Sequence, residues 1–156
     1  MTDFPAEREL VLDRLIDAPR AAVFRCWTEA ELLKQWFAPA PWTVAHAEVD
    51  ARPGGANNVT MRGPDGTEMP AKGVFLEVVP NEKLVSTDAF ATGWEPGDGA
   101  PFMVVVITFA DEGGKTRYVA CARHWTKETA EQHAAMGFND GWNQCADQLE
   151  ALARSL

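Results

Sequence analysis

Residues 17–37 read Asp17-Ala-Pro-Arg-Ala-Ala-Val-Phe-Arg-Cys-Trp-Thr-Glu-Ala-Glu-Leu-Leu-Lys-Gln-Trp-Phe37, and this stretch decides the fold. It closes a strand, starts a short helix, stops it and starts another. Pro19 suits a first helical position, where the missing N–H has no intrahelical partner to lose. Thr28 followed by Glu31 has the spacing of a capping box, which predicts a second helix start just after Trp27. Val23, Cys26 and Trp27, then Leu32, Leu33, Trp36 and Phe37, recur at three- and four-residue spacing. Each short helix therefore has one apolar face to bury.

Outward from there the chain alternates as strands. Residues 8–16 read as the first, with Leu10, Leu12, Arg14 and Ile16 on one side. Residues 42–50, 58–62, 67–79 and 83–89 follow, separated by Pro53-Gly54-Gly55, Pro64-Asp-Gly66 and Pro80-Asn81 turns. Residues 92–101 are rich in Gly and Pro and read as a loop. A last hairpin joins residues 102–109 to 116–125 through Gly113-Gly114. Thr129 with Gln132 predicts the start of a long helix running to Leu156, with Ala135, Phe138, Trp142, Cys145, Leu149 and Leu152 along its apolar face. An α+β architecture follows, a meander of about six to seven strands curved around one long C-terminal helix, as one domain over residues 1–156.

Arg14 and Ala18-Pro19, Trp27-Thr28 and Leu32-Leu33-x-x-Trp36, Asp50-x-Arg-Pro-Gly-Gly55, Gly73-x-x-x-Glu77-Val-Val-Pro80, Thr108-Phe109, Thr116 and Gly141-Trp142 occur in an order and spacing that resembles the START-like, helix-grip proteins of the SRPBCC superfamily. The resemblance is to the branch named after the activator of the ninety-kilodalton heat-shock protein ATPase. It implies a cavity between sheet and terminal helix, and it brings an association with stress response and chaperones. After Gly55 relatives commonly carry an aromatic residue and an arginine, whereas this chain has Ala56, Asn57 and Asn58.

The formal net charge of −9 argues against general affinity for nucleic acid or anionic membrane surfaces, which need clustered Lys and Arg. Cys26, Cys121 and Cys145 are odd in number, far apart and set in apolar patterns, so they read as small buried hydrophobes rather than a disulfide or metal framework. No leader and no run of about 18 apolar residues is seen, and the expected location is the cytoplasm. Nucleotide-binding and hydrolase motifs are missing, and His46, His124 and His133 show no mutual ligand spacing. Neither metal nor cofactor is expected.

Gly137 and Gly141 sit within the terminal helical pattern, at a cost of about 1 kcal/mol each relative to alanine. They thin the helix toward either a cavity or a closely packed strand. On the last strand Thr116, Tyr118, Ala120, Ala122 and His124 alternate with Arg117, Val119, Cys121 and Arg123, which places the first set inward. The expected ligand-binding set is Asn58, Met61, Phe75, Met103, Tyr118, His124, Phe138 and Trp142, with Trp94 as a lid. The expected ligand is a small apolar or aromatic molecule, held by a carrier or sensor. The resemblance also reaches cyclases, aromatases and hydrolases, for which His124 with Tyr118 or Asp50 would be the proton-transfer group. Arg14 on an apolar side needs a partner, with Asp50 or Glu48 as the acids. A surface cluster of Trp36, Phe37, Trp42 and Trp94 would instead suit a chaperone or a second copy of the chain, giving a homodimer.

Overall fold

The computed structural model describes residues 4–156. After a 3₁₀ turn at Ala6–Arg8 the elements are β1 (Glu9–Ile16), α1 (Arg20–Thr28), α2 (Ala30–Leu33), β2 (Thr43–Val49), β3 (Asn57–Arg62), β4 (Glu68–Ala71), β5 (Val74–Val79), β6 (Lys83–Thr87), β7 (Phe90–Ala91), β8 (Glu95–Pro96), β9 (Met103–Glu112), β10 (Lys115–His124), α3 (Lys127–Ala135) and α4 (Phe138–Arg154). The expected α+β helix-grip arrangement is present, but the strands divide into more than one sheet. A five-stranded antiparallel sheet runs β1-β10-β9-β6-β5, a three-stranded one runs β2-β3-β4, and β7 and β8 form a small ribbon.

The division falls inside the segment that reads as one strand over residues 67–79. At Gly73 the backbones press so closely that an added Cβ would lie 2.5 Å from the Thr87 carbonyl oxygen. There the chain leaves the small sheet and enters the large one. Pro70 on β4 has no N–H to donate, which fits an edge strand. The two sheets stay joined at this corner by Asn57 N–H donating to the Gly73 carbonyl at 3.0 Å and Gly54 N–H donating to the Phe75 carbonyl at 2.7 Å.

α1 and α2 form where the sequence places them, but for a different local reason. Pro19 caps α1 from just outside it in an extended conformation, and a single extended residue, Glu29, separates the two helices. Thr28 does not cap α2. Its hydroxyl bonds back to the Phe24 carbonyl at 3.0 Å, the competing local bond open to a helical threonine. Val23, Phe24, Cys26 and Trp27 of α1 are buried.

The C-terminal helical segment is two helices. Thr126, not Thr129, is the N-cap: its hydroxyl accepts from the Thr129 N–H at 3.1 Å. α3 ends at Ala135, and Gly137, whose φ of 94° is left-handed, lets the chain turn before α4 begins. Ala135 is consequently exposed on α3, while Phe138, Ala146, Leu149 and Ala153 form the buried face of α4.

α4 packs on α1 and β1. Arg14 of β1 pairs with Asp147 at 2.9 Å, lies 3.6 Å from Glu150, and donates to the Asn143 carbonyl at 3.3 Å. The two acids named from the sequence are engaged elsewhere. Asp50 accepts from Arg52 at 2.7 Å and Glu48 from Asn58 at 3.0 Å. Gln148 of α4 donates to the Trp36 and Ala38 carbonyls at 2.8 and 2.9 Å, which fastens the helix to the segment following α2. Beneath it, Thr116 on β10 donates to the Ala18 carbonyl at 2.7 Å.

Candidate functional site: a cavity under the start of α4

The inward set on β10 is buried throughout, from Thr116 to His124, because the alternating residues include Arg117 and Arg123, which pair outside with Glu112 and Glu9. The first turns of α4 lie across this face without closing on it. Between them is a cavity of about 340 Å³, lined by Trp27, Trp36 and Phe37 from the α1–α2 region, Met61 and Ala71 from the small sheet, Met103 and Tyr118 from the large one, His133 from α3, and Phe138, Gly141, Trp142 and Cys145 from α4. Met136, 68% exposed, stands at the rim. A smaller lobe of about 130 Å³ shares Trp27, Phe37, Ala71, Met103 and Trp142 and extends toward Asn57, Lys72, Thr87 and Asp88.

Gly141 explains the open space. A Cβ built there meets no heavy atom within 4 Å, so no strand packs closely against the glycine, which borders the cavity. The aromatic wall is rigid for a separate reason. Trp27, Trp36 and Phe37 pack mutually edge-to-face with centroids 4.9–5.6 Å apart, a favourable arrangement of ring quadrupoles. The Trp36 indole donates to the Cys26 carbonyl at 2.9 Å.

Polar groups in the larger lobe are few. Tyr118 accepts from the Trp27 indole N–H at 3.0 Å, and burial raises its phenol well above the ordinary tyrosine range. Burial likewise pushes the Cys145 thiol up to about 11, and its Sγ donates to the Phe37 carbonyl at 3.3 Å. His133 is brought down to about 4, first by burial and then by the neighbouring His124, so its ring is neutral near neutral pH. Its Nδ1 lies 2.9 Å from His124 Nε2. His124 is 1% exposed, and its Nδ1 lies 2.9 Å from the Arg8 carbonyl oxygen.

Of the residues named from the sequence, Met61, Met103, Tyr118, Phe138 and Trp142 line the cavity. Asn58 does not. Strand alternation turns Asn57 and Val59 to the smaller lobe, while Asn58 bonds to Glu48 and accepts from the Gly73 N–H at 3.2 Å. Phe75, 1% exposed, is part of the closed core. His124 stands one layer behind the wall, with His133 between it and the cavity. Trp94 does not line the cavity: in the turn between β7 and β8 it packs edge-on to Phe90 at 5.9 Å and over Gly54. Asp50, paired with Arg52, is bonded neither to His124 nor to Tyr118, so the proton-transfer pairings expected from the sequence are not assembled. The surface aromatic cluster is not formed either. Trp36 is buried, Phe37 and Trp42 are half-buried, and Trp94 alone is exposed. His133 escaped the sequence reading, although nine residues after His124 it opens onto the same aromatic face as Phe138 and Trp142, which its ring meets at 5.1 and 6.5 Å.

A strand-lined grip around α4 with an apolar cavity beneath it defines the helix-grip class. The family described as Activator of Hsp90 ATPase homolog 1-like protein matches residues 17–154, and the chain belongs to it. A protein from Nitrosomonas europaea of solved structure is 39% identical over 97% of both chains, with a TM-score of 0.92. One from Staphylococcus epidermidis is 27% identical, covering 99% of this chain and 94% of its own, at a TM-score of 0.82. An AHSA1-like protein from Aeromonas hydrophila shares the fold at 20% identity and a TM-score of 0.72, over 94% of this chain and 92% of its own. Comparison with the curated proteins returned no significant match. Among the described residues no helix is long and apolar enough to cross a membrane.

Proposed function

We propose that this protein is a carrier or sensor, working in the cytoplasm, for a small uncharged molecule with an apolar or aromatic body. The observation that carries this reading is the cavity of about 340 Å³ under Gly141, walled by Trp27, Phe37, Met61, Met103, Phe138 and Trp142. Small-molecule sites commonly occupy roughly 300–1,000 Å³ and combine apolar walls with a few polar groups that fix orientation. Among the described residues no Lys, Arg, Asp or Glu lines the larger lobe, which favours a neutral occupant, since an unpaired charge is costly to desolvate. Docking on a chaperone, the role that the family's description brings to mind, draws no support from the expected cluster of Trp36, Phe37, Trp42 and Trp94, of which only Trp94 is exposed.

The test is an equilibrium titration with the neutral fluorophore N-phenyl-1-naphthylamine, in wild type and in Gly141→Leu. The leucine side chain enters the cavity from the helix side, so Gly141→Leu is expected to fold and to bind the probe at least about tenfold more weakly. Wild type that leaves the probe dark, or a leucine variant that binds it as well as wild type does, would refute the reading.

A further inference from the structure

The cavity's hydrogen-bonding character is set by a chain of three groups that ends at its wall. A backbone carbonyl can only accept a hydrogen bond, so the Arg8 carbonyl oxygen, 2.9 Å from His124 Nδ1, requires the proton on that nitrogen. In the neutral ring the other nitrogen, His124 Nε2, is then an acceptor. His133 Nδ1, 2.9 Å away, must carry a proton and donate to it. This leaves the His133 Nε2 lone pair without a protein donor among the described residues. That nitrogen is not sealed off, since no fully buried side-chain nitrogen or oxygen among them lacks a partner. His133 lines the larger lobe, and its ring is held by edge contacts with Phe102 at 4.8 Å and Phe138 at 5.1 Å.

Tyr118 contributes the opposite polarity. The Trp27 indole can only donate, and it donates to the phenol oxygen at 3.0 Å, so the tyrosine's own proton is committed to no protein acceptor among the described residues. A larger lobe with one fixed acceptor, one available donor and, among the described residues, no charged side chain selects by hydrogen bonding within an apolar fit. We infer that the ligand is a neutral hydroxylated aromatic, a phenol or aromatic alcohol, whose O–H donates to His133 Nε2. This inference rests on the proposed ligand-binding role and narrows it. An otherwise matching molecule without the proton would strip water from His133 Nε2 and leave it unpaired, which costs enough to lower affinity roughly tenfold.

The experiment is calorimetric titration, slightly above neutral pH, with 2-naphthol and 2-methoxynaphthalene, which differ in that proton. Long-range ¹H–¹⁵N spectra of the histidine rings accompany it and report which nitrogen carries the proton. Wild type should prefer the naphthol by roughly tenfold. Both histidines should be protonated at Nδ1, and the His133 Nε2 resonance should move with the naphthol and not with the ether. His133→Phe, which keeps an aromatic ring against Phe102 and Phe138, should abolish the preference, so that naphthol and ether bind with affinities within about twofold of each other. Equal affinities in wild type, a proton on His133 Nε2, or a preference that survives His133→Phe would each overturn the inference while leaving the cavity reading standing. Failure of both probes to bind wild type would instead overturn the cavity reading, and the ligand class with it. The spectra need no variant, so a misfolded His133→Phe would not rescue the idea.

Discussion

Gly141→Ala has a predicted sign that separates an open cavity from a packed helix–sheet contact. Gly141 occupies the first turns of α4, where its N–H bonds to the Gly137 carbonyl at 2.9 Å. Glycine in a helix interior is less favourable than alanine by about 1 kcal/mol, largely through the freedom it retains when unfolded. A Cβ at this position meets no heavy atom within 4 Å, so no steric cost offsets the gain. Stabilisation of roughly 0.5–1 kcal/mol should follow, raising Tm by about 1–4 °C for a chain of this size. Gly137→Ala should do the reverse and lose about 1 kcal/mol or more, because φ is 94° there and alanine resists the left-handed region. Urea unfolding monitored by circular dichroism, with calorimetry for Tm, measures both. If Gly141→Ala were destabilised by the roughly 1–3 kcal/mol typical of overpacking, the helix must press on a neighbour at that point. The space under it would then not exist as described.

Trp142 lines both lobes and is half-buried, so Trp142→Ala should cost well below the roughly 3–5 kcal/mol of a fully enclosed tryptophan, while probe binding is lost; unfolding curves and the fluorophore titration check the two halves. His133 has a folded pKa near 4 against an ordinary 6.5, so between those values the unfolded chain binds more protons than the native one. Its neutral burial therefore contributes up to roughly 3 kcal/mol above about pH 6.5 that is lost as pH falls toward 4, and urea unfolding across this window should show His133→Gln with a flatter pH dependence. Arg14→Met should destabilise by about 1–2 kcal/mol, since it keeps the stem but removes the bonds to Asp147 and Asn143. Added salt should narrow the difference from wild type only in part, because it screens the pairing with the largely exposed Asp147 but not the bond to the neutral Asn143 carbonyl.

The local rules of the backbone account for what was legible. On β10, two arginines at alternate positions oriented the strand, and period-two alternation then placed Tyr118 and the small Ala120 and Ala122 inward. On α4, spacing of three and four put Phe138, Trp142, Cys145 and Leu149 on one face. Pro19 and the second run of apolar residues announced two helices, even though Glu29, not a Thr28 cap, turned out to separate them. Asn58 and Met61, three apart on β3, face opposite sides by period-two alternation, so both could not line one cavity; the side turned inward is that of Asn57, Val59 and Met61.

Long-range assembly decided the remainder. Arg14 and Asp147 are distant in sequence, and which acid reaches a buried-side arginine depends on the element that docks there, α4 rather than β2. His124 and His133 meet because α3 folds back over the end of β10 and stops before the turn at Gly137, a break that periodicity alone reads as a continuing helix. Sequence by itself determined most of the strands, the two short helices and the inward faces of β10 and α4, since each is a property of a few adjacent residues. Tertiary structure alone decided that Gly141 borders a cavity, that His133 rather than His124 borders it, and that Trp94 does not. Those facts depend on which surfaces approach one another, and the period of a helix or strand specifies which side of it faces inward without naming what it will meet.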